Sequence, residues 1–238
     1  MFKKRLMKIA DTGIFKNEFD ILEKNIFCGV IAGYNQLNNV TKSLSIHEDY
    51  KELKSMNLML ITDDLTVLET KGGYNQICYS TKNKKTTFKE LIGNALRCDP
   101  DIVYAKSNGT DSWKYLLELP YSGTPLLIGS KHNNMELLLK EILQKNTVID
   151  LFNNIDFIYI GMSCVSNEKM HLIEINEYIR LDEIKELIIL EKNELIEEIK
   201  EIIRKKETGF IHDLEKKYSE GLILKDNYLH YKEKLSKN

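Results

Sequence analysis

The sequence lacks any long apolar stretch. Its 238 residues are 42% hydrophobic, yet no apolar run approaches the ~20 residues that a membrane-spanning helix needs. The first residues, MFKKRLMKIADTG, are basic but have too short an apolar core for a signal peptide. These absences predict an intracellular, cytoplasmic protein that meets a membrane only indirectly.

An excess of charge of one sign and clustered cysteines are also missing. The formal net charge is −2, so the composition gives no electrostatic reason to expect nucleic-acid binding. The four cysteines, Cys28, Cys78, Cys98 and Cys164, are scattered and show no CxxC spacing. We interpret them as buried thiols and predict neither a metal site nor a disulfide framework.

What the sequence does contain is a strong helix-to-strand signal near its middle. Between Phe88 and Arg97, apolar residues recur at three- and four-residue spacing, which predicts one apolar face of a helix. Pro100 then prevents the helix from continuing. Residues Ile102 to Ala105 form a short apolar run that is typical of a strand buried on both faces. A helix, a tight turn and a buried strand are half of an α/β unit.

This stretch resembles a motif of the motor ATPases of type IV pili and type II secretion. In that family, which includes PilT-like and GspE-like proteins, a helix of the form SFxxALRxxLRxDPDxIxxGExRDxE leads into the Walker B strand. The residues of this chain that fall into that frame are Phe88, Leu91, Asn94, Ala95, Leu96, Arg97, Asp99, Pro100, Asp101 and Ile102. The similarity extends from about Phe19 to Tyr228 and is greatest to the pilus-retraction branch.

The resemblance implies an α/β, RecA-like P-loop NTPase fold, with a central, mostly parallel sheet flanked by helices and a C-terminal helical extension. We expect a RecA-like ATPase-type domain over residues 1–180 and a C-terminal helical region over residues 181–238. The family's N-terminal PAS-like domain is expected to be absent, because few residues precede the first matched helix. Amphipathic patterns also predict helices over Met135–Lys145, Leu181–Lys206, Phe210–Tyr218 and Lys225–Leu235.

The phosphate-binding loop of the family, GxxxxGK[ST], corresponds to a degenerate P-loop in this chain. Glycines let backbone N–H groups turn toward phosphate, the lysine neutralises phosphate charge, and the hydroxyl binds magnesium. Here Gly33 is kept, whereas Asn38 replaces the second glycine, Asn39 the lysine and Val40 the hydroxyl residue. In this register the resemblance implies that the cationic charge and the metal ligand are both missing.

A second register of the degenerate P-loop supplies the missing groups. After Thr41, the residues Lys42 and Ser43 offer a charge and a hydroxyl, although no glycine stands beside them. ATP and Mg²⁺ are therefore expected as cofactors only if this divergent loop works. The candidate nucleotide-binding residues are Gly33, Asn38, Asn39, Val40, Thr41, Lys42 and Ser43.

The acids that activate water in the family are replaced as well. Thr62 stands in place of the glutamate that follows the strand after the P-loop helix, and Ser107 in place of the Walker B glutamate. The remaining catalytic candidates are Asp63 and His132, of which His132 matches the family's histidine box. An acid at a strand end is more often a turn or cap residue, and a histidine there is more often a surface residue. A structural role therefore stays open for both.

The matched scaffold positions and the unmatched chemical positions lead to a first hypothesis. The chain is predicted to be a degenerate, non-catalytic relative, a pseudoenzyme, of the pilus and secretion motors, acting as an assembly or regulatory component. The implied partners are an inner-membrane platform protein and an active paralogous ATPase. We expect a homo- or hetero-oligomer in the cytoplasm, at the cytoplasmic face of the inner membrane.

Two alternatives stay open. One is an active but divergent ATPase of the same family, which would use Lys42 and Ser43 together with Asp63, Asp101 and His132. The other is an interaction module unrelated to pili, whose helical tail, from residue 181 onward, binds a partner. The simpler interpretation of that tail is an amphipathic cover for the domain's own core.

Overall fold

The structure, a computed structural model, describes part of the chain. The described residues are 28–33, 57–62, 75–80, 86–100, 102–107, 109–120, 123–124, 126–165 and 172–236. The degenerate P-loop after Gly33 lies outside them, as do Asp63 and Asp101. Within the described residues, no helix is long and apolar enough to cross a bilayer.

A seven-stranded sheet forms the centre of the fold. Its strands are β1 (Cys28–Gly33), β2 (Asn57–Thr62), β3 (Asn75–Ser80), β4 (Ile102–Lys106), β5 (Leu126–Ser130), β6 (Phe157–Val165) and β7 (Leu172–Arg180). The strand order is β3-β2-β4-β5-β1-β6-β7. Every neighbouring pair is parallel except β6 and β7, which are antiparallel. The predicted mostly parallel sheet is confirmed.

Helices precede or follow most of these strands. The described part of the chain contains α1 (Phe88–Arg97), α2 (Thr110–Leu116), α3 (Met135–Lys145), α4 (Val148–Asn154), α5 (Lys192–Lys205), α6 (Phe210–Ser219) and α7 (Lys225–Ser236). Helices α1 and α3 have the bounds that the apolar spacing predicts. The prediction of α-helix from residue 181 is wrong for its first part, because Leu181–Glu183 and Lys185–Ile189 are 3₁₀-helices.

Side-chain caps fix where three of the helices begin. At α1, the Glu90 N–H donates to the Thr87 hydroxyl (3.2 Å) and the Thr87 N–H donates to the Glu90 carboxylate (2.7 Å). This reciprocal pair is a capping box, which satisfies two N–H groups that the helix cannot bond internally. Thr147 and Asp150 form the same arrangement at α4. At α3, the side chain of Asn134 is the cap and accepts from a backbone N–H of the first turn.

The sheet is buried on both faces, as a parallel sheet with helical connections requires. On one face, α1 packs on α2 and α2 on α3. The core on this side includes Ile61, Leu91, Ala95, Val103, Ala105, Trp113, Leu116, Ile128, Leu138, Leu139 and Ile142. All of these side chains belong to one apolar cluster, so the helices and the strands beneath them share a single core.

The opposite face of the sheet carries aromatic rings that lie over glycines. Tyr104 points away from Val103 and Ala105, because successive side chains of a strand alternate between faces. A Cβ on Gly129 would lie 1.9 Å from the Tyr104 hydroxyl oxygen, and strand β1 has a similar glycine under the Phe157 ring. A glycine in a strand interior often marks such a close approach. Here it lets a large ring from the neighbouring strand lie close to the backbone.

The C-terminal helices belong to the same core. The buried residues of α5 and α6 in that cluster are Leu195, Ile196, Ile199, Ile203, Phe210 and Leu214. Ile223, just before α7, is buried in it too, whereas α7 contributes only partly buried residues. The chain between α5 and α6 also follows the outer edge of β7, where the Tyr178 N–H donates to the Thr208 carbonyl (3.0 Å). Next to it, the Asn176 N–H donates to the Asp213 carboxylate (2.8 Å). The tail therefore covers the domain's own core, while the domain boundary after residue 180 stays a prediction.

Candidate functional site

Three parallel strands end at the same edge of the sheet. Strand β1 ends at Gly33, β5 at Ser130 and β4 at Lys106. Strand β5 lies between β1 and β4, and Ala32 is paired with Ser130. In open α/β sheets, ligands bind beyond the carboxyl ends of the strands. We refer to this edge, formed by Gly33, Ser130 and Lys106, as the candidate nucleotide edge.

The turn that leads into β4 is set by Asp99. Its φ is 49°, in the left-handed region that commonly ends helices and that aspartate adopts more readily than most residues. The Asp99 N–H donates to the Leu96 carbonyl (3.3 Å), and Pro100, which follows, is buried. This part of the motif therefore has a backbone role that requires no bound nucleotide.

Ser107, which the resemblance places at the Walker B glutamate, lies directly after β4. Its N–H donates to the Gly129 carbonyl (2.8 Å), which continues the pairing of β4 and β5 beyond the end of the strand. Two residues later, Gly109 has a φ of 81° and precedes the first turn of α2. A serine hydroxyl is a poor base at neutral pH compared with a carboxylate. Ser107 thus extends the strand pairing through its backbone, and its side chain is not an acid.

His132, two residues after β5, is bound by a carboxylate of its own chain. Its Nε2 lies 2.5 Å from Oε2 of Glu141, and the other carboxylate oxygen, Oε1, accepts from the Trp113 indole N–H at 2.7 Å. The side chains of His132 and Glu141 are 19% and 15% exposed, and Trp113 is fully buried. We call this arrangement the His132–Glu141–Trp113 bridge. It joins the loop after β5, helix α3 and helix α2.

Two further polar contacts join α2 and α3 near the bridge. The Thr110 hydroxyl donates to the Gln144 side-chain oxygen (3.1 Å), and the Lys145 ammonium lies 3.7 Å from the Asp111 carboxylate. Both contacts involve exposed side chains, so each contributes little to stability. The buried contact through Glu141 is therefore the stronger polar connection between the two helices.

A second carboxyl lies close to the same edge of the sheet. Glu177 on β7 is paired with Ile160, and the next pair along, Asn176 with Gly161, is level with Gly33. Burial raises the pKa of Glu177 to about 7, although a bond from the backbone N–H of Met135 acts in the opposite direction. Glu177 thus faces the first residue of α3, and near neutral pH it is partly protonated.

The cysteines agree only in part with their interpretation as buried thiols. Cys164 is buried, and burial raises the pKa of its thiol to about 11. The prediction is wrong for Cys98, which is exposed in the turn after α1. In the part of the chain that the structure describes, no group of three or more histidine, cysteine, aspartate or glutamate side chains is placed to hold a metal ion.

The predicted site residues are only partly brought together. Gly33 ends β1, and His132 follows the end of the neighbouring strand β5 by two residues, so both lie near the same edge of the sheet. Asp63 and residues 38–43 of the degenerate P-loop lie outside the described residues, so their roles stay predictions. Sequence reasoning missed Glu141 as the partner of His132. The available signal was an acid in the middle of an apolar helix, nine positions after the histidine.

Solved structures of secretion and pilus ATPases share this fold. The ATPase DotB of Legionella pneumophila matches with a TM-score of 0.71 and 14% identity, over 86% of this chain and 59% of that one. DotB of Yersinia pseudotuberculosis gives 0.68 and 17%, over 86% and 57%. The pilus retraction motor PilT, solved with bound ADP, gives 0.67 and 15%, over 85% and 60%. The chain therefore spans less than two thirds of each of these proteins.

Likeness at this level of identity establishes the fold. The chain has the RecA-like α/β fold of these ATPases, and the resemblance drawn from the motif is confirmed at the level of fold. No protein-family model matches the chain, and a search of the curated proteins returns no match.

Proposed function

We propose that the chain is a non-catalytic relative of the type IV pilus and secretion motor ATPases, acting as an assembly or regulatory component of such a machine. The observation that carries the proposal is the state of the candidate nucleotide edge. Its backbone frame is present, while Ser107 stands in place of the base and His132 is bound by Glu141. Losing one electrostatic contact to developing charge typically slows catalysis by ~10²–10³. Several such losses together leave little hydrolysis.

The proposal extends to partners and location. The likeness in fold to DotB and PilT supports a role beside an active paralogous ATPase, in a homo- or hetero-oligomer, or against an inner-membrane platform protein. The protein would then act in the cytoplasm, at the inner face of that membrane. Residues 1–180 would form the RecA-like unit and residues 181–238 its helical extension. Neighbouring genes for a pilin, a platform protein and an ATPase with an intact P-loop would support this assignment.

An ATP hydrolysis assay tests the proposal. We expect the purified chain, with Mg²⁺ and ATP, to release phosphate no faster than its Lys42→Ala variant. A motor ATPase with an intact P-loop, assayed in parallel, provides the positive control. Hydrolysis at a rate typical of that motor, lost on Lys42→Ala, would refute the non-catalytic assignment.

A divergent but active ATPase is the second candidate. It is supported by the ADP bound in PilT, whose fold this chain shares, and by Lys42 and Ser43, which offer the charge and the hydroxyl of a P-loop. This candidate requires Mg²⁺-dependent nucleotide binding, which would raise the melting temperature because a ligand of the folded state stabilises it. A melting temperature that does not change in millimolar MgATP would eliminate it.

A further inference from the structure

The His132–Glu141–Trp113 bridge is more than a hydrogen bond between neighbours. We propose that His132 and Trp113 form a two-donor carboxylate site whose resident ligand is Glu141. The proposal deepens the proposed function, on which its meaning for catalysis rests, because it explains what occupies the histidine of the candidate nucleotide edge. The existence of the site itself can be tested without nucleotide.

The chemistry of the groups fixes who donates and who accepts. The indole N–H of Trp113 can only donate, and an ionised carboxylate can only accept. With Oε1 of Glu141 accepting from Trp113 at 2.7 Å, Oε2 is free to accept from His132 at 2.5 Å. With Glu141 ionised, Nε2 is the protonated ring nitrogen of His132 and donates a hydrogen bond to Oε2. Both oxygens of the carboxylate have a ring N–H aimed at them, as in a site built for a carboxylate.

Burial makes an acceptor for Trp113 necessary. Trp113 is fully buried, and a buried N–H without an acceptor is costly. Glu141, on α3, supplies that acceptor through Oε1. Its other oxygen, Oε2, is hydrogen-bonded to His132 in the loop after β5. The Glu141 carboxylate therefore joins α2, α3 and this loop. An external anion, such as a phosphate, would have to displace Glu141 before it could bind His132.

Removing the resident ligand and supplying a small replacement tests the site. Glu141→Ala deletes the carboxylate but leaves both donors, and acetate has the size and charge of the missing group. We expect the variant to melt about 4–10 °C below the parent chain. Concentrated sodium acetate should then restore part of this loss, compared with sodium chloride of the same ionic strength. The emission of Trp113, the only tryptophan, should return toward that of the parent chain.

Two control variants separate a carboxylate site from general effects of salt. Glu136→Ala removes another acid of α3, one that contacts only Lys140 and Lys200 among the described side chains. It should show no response to acetate beyond that of the parent chain. Adding His132→Ala to Glu141→Ala should weaken the rescue, since one donor is gone. Equal melting temperatures for Glu141→Ala and the parent, or a rescue no greater in acetate than in chloride, would overturn the proposal.

A measurement on the unaltered chain covers the case in which Glu141→Ala does not fold. The Nε2 proton of His132 should be visible by NMR as a slowly exchanging ring N–H, because it is held between two mostly buried side chains. Glu141→Gln leaves one side-chain oxygen in place of two, so the Trp113 indole N–H and the Nε2 proton of His132 cannot both keep their acceptor, and one of the two should exchange faster. Absence of the Nε2 proton in the parent chain would exclude the site. ATP hydrolysis by the parent chain, in contrast, would refute the proposed function while leaving the acetate and NMR results unaffected.

Discussion

The partly buried carboxyl of Glu177 gives a prediction of how stability depends on pH. Burial raises its pKa from 4.5 to about 7 in the folded protein, so the folded state binds this proton more tightly than the unfolded state does. The contribution to stability is fully present below pH 4.5 and is lost as pH rises through 7. Glu177→Gln keeps the size of the side chain and removes the charge. The variant should therefore gain stability, relative to the parent chain, as pH rises across this window.

The size of the effect follows from the two pKa values. At 1.36 kcal/mol per pH unit, the shift sets an upper limit of about 3 kcal/mol. Glu177 keeps some contact with solvent, which screens the penalty, so we expect about 1–2 kcal/mol in practice. For a chain of this length, that corresponds to a rise in melting temperature of roughly 2–8 °C above pH 7.

Urea unfolding of both proteins on each side of the window measures the effect. Comparing parent and variant at each pH cancels the titration of all other groups. The exposed Glu198 on α5 offers a matched control for the exchange of glutamate for glutamine, measured as Glu198→Gln under the same conditions. If the difference between Glu177→Gln and the parent is the same at pH 4.5 and above pH 7, Glu177 is not a destabilising buried charge and the reasoning fails.

Three further substitutions test the packing and the helix caps, each by its change in the free energy of unfolding. Gly129→Ala should destabilise the protein by about 1–3 kcal/mol or more, because the added Cβ would meet the Tyr104 hydroxyl. An unchanged stability would mean that the Tyr104 ring does not lie over Gly129. Gly93→Ala should instead stabilise α1 by about 0.5–1 kcal/mol, since nothing lies within 4 Å of the added Cβ. A lower free energy of unfolding would mean that another group contacts the added Cβ. Thr147→Ala should cost about 1 kcal/mol, because it removes the acceptor for the Asp150 N–H; an unchanged value would argue against the capping box.

The sequence predicts best where periodicity and local caps agree. Helix α1 has its apolar residues at helical spacing and a capping box at Thr87, and both signals lie within the helix and its flanks. Helix α4 was not predicted, although Thr147 and Asp150 form the same kind of cap. It is short, and its apolar residues do not complete a second turn of clear periodicity. Residues Lys185–Ile189 look amphipathic but form a 3₁₀-helix, because tertiary packing decides between the two in so short a segment.

Contacts between distant positions are what the sequence could not provide. His132 and Glu141 belong to different elements, and Trp113 is 28 positions from its acceptor on α3. No periodic pattern relates such residues, because their proximity depends on how α2 and α3 pack on the sheet. The motif therefore identified the histidine but not the group that occupies it. The raised pKa of Glu177 could not be predicted for the same reason, since it arises from burial of the side chain in the folded chain.

The motif positions that this chain retains have structural reasons of their own. Asp99 adopts a left-handed φ of 49°, and Pro100 is buried after it. Both features belong to the backbone path into β4 and require no bound nucleotide. At Ser107, where the resemblance places the Walker B glutamate, the described contact is a backbone one, from its N–H to the Gly129 carbonyl. Retention of the frame is therefore no argument for catalysis, and the two properties can separate in one chain.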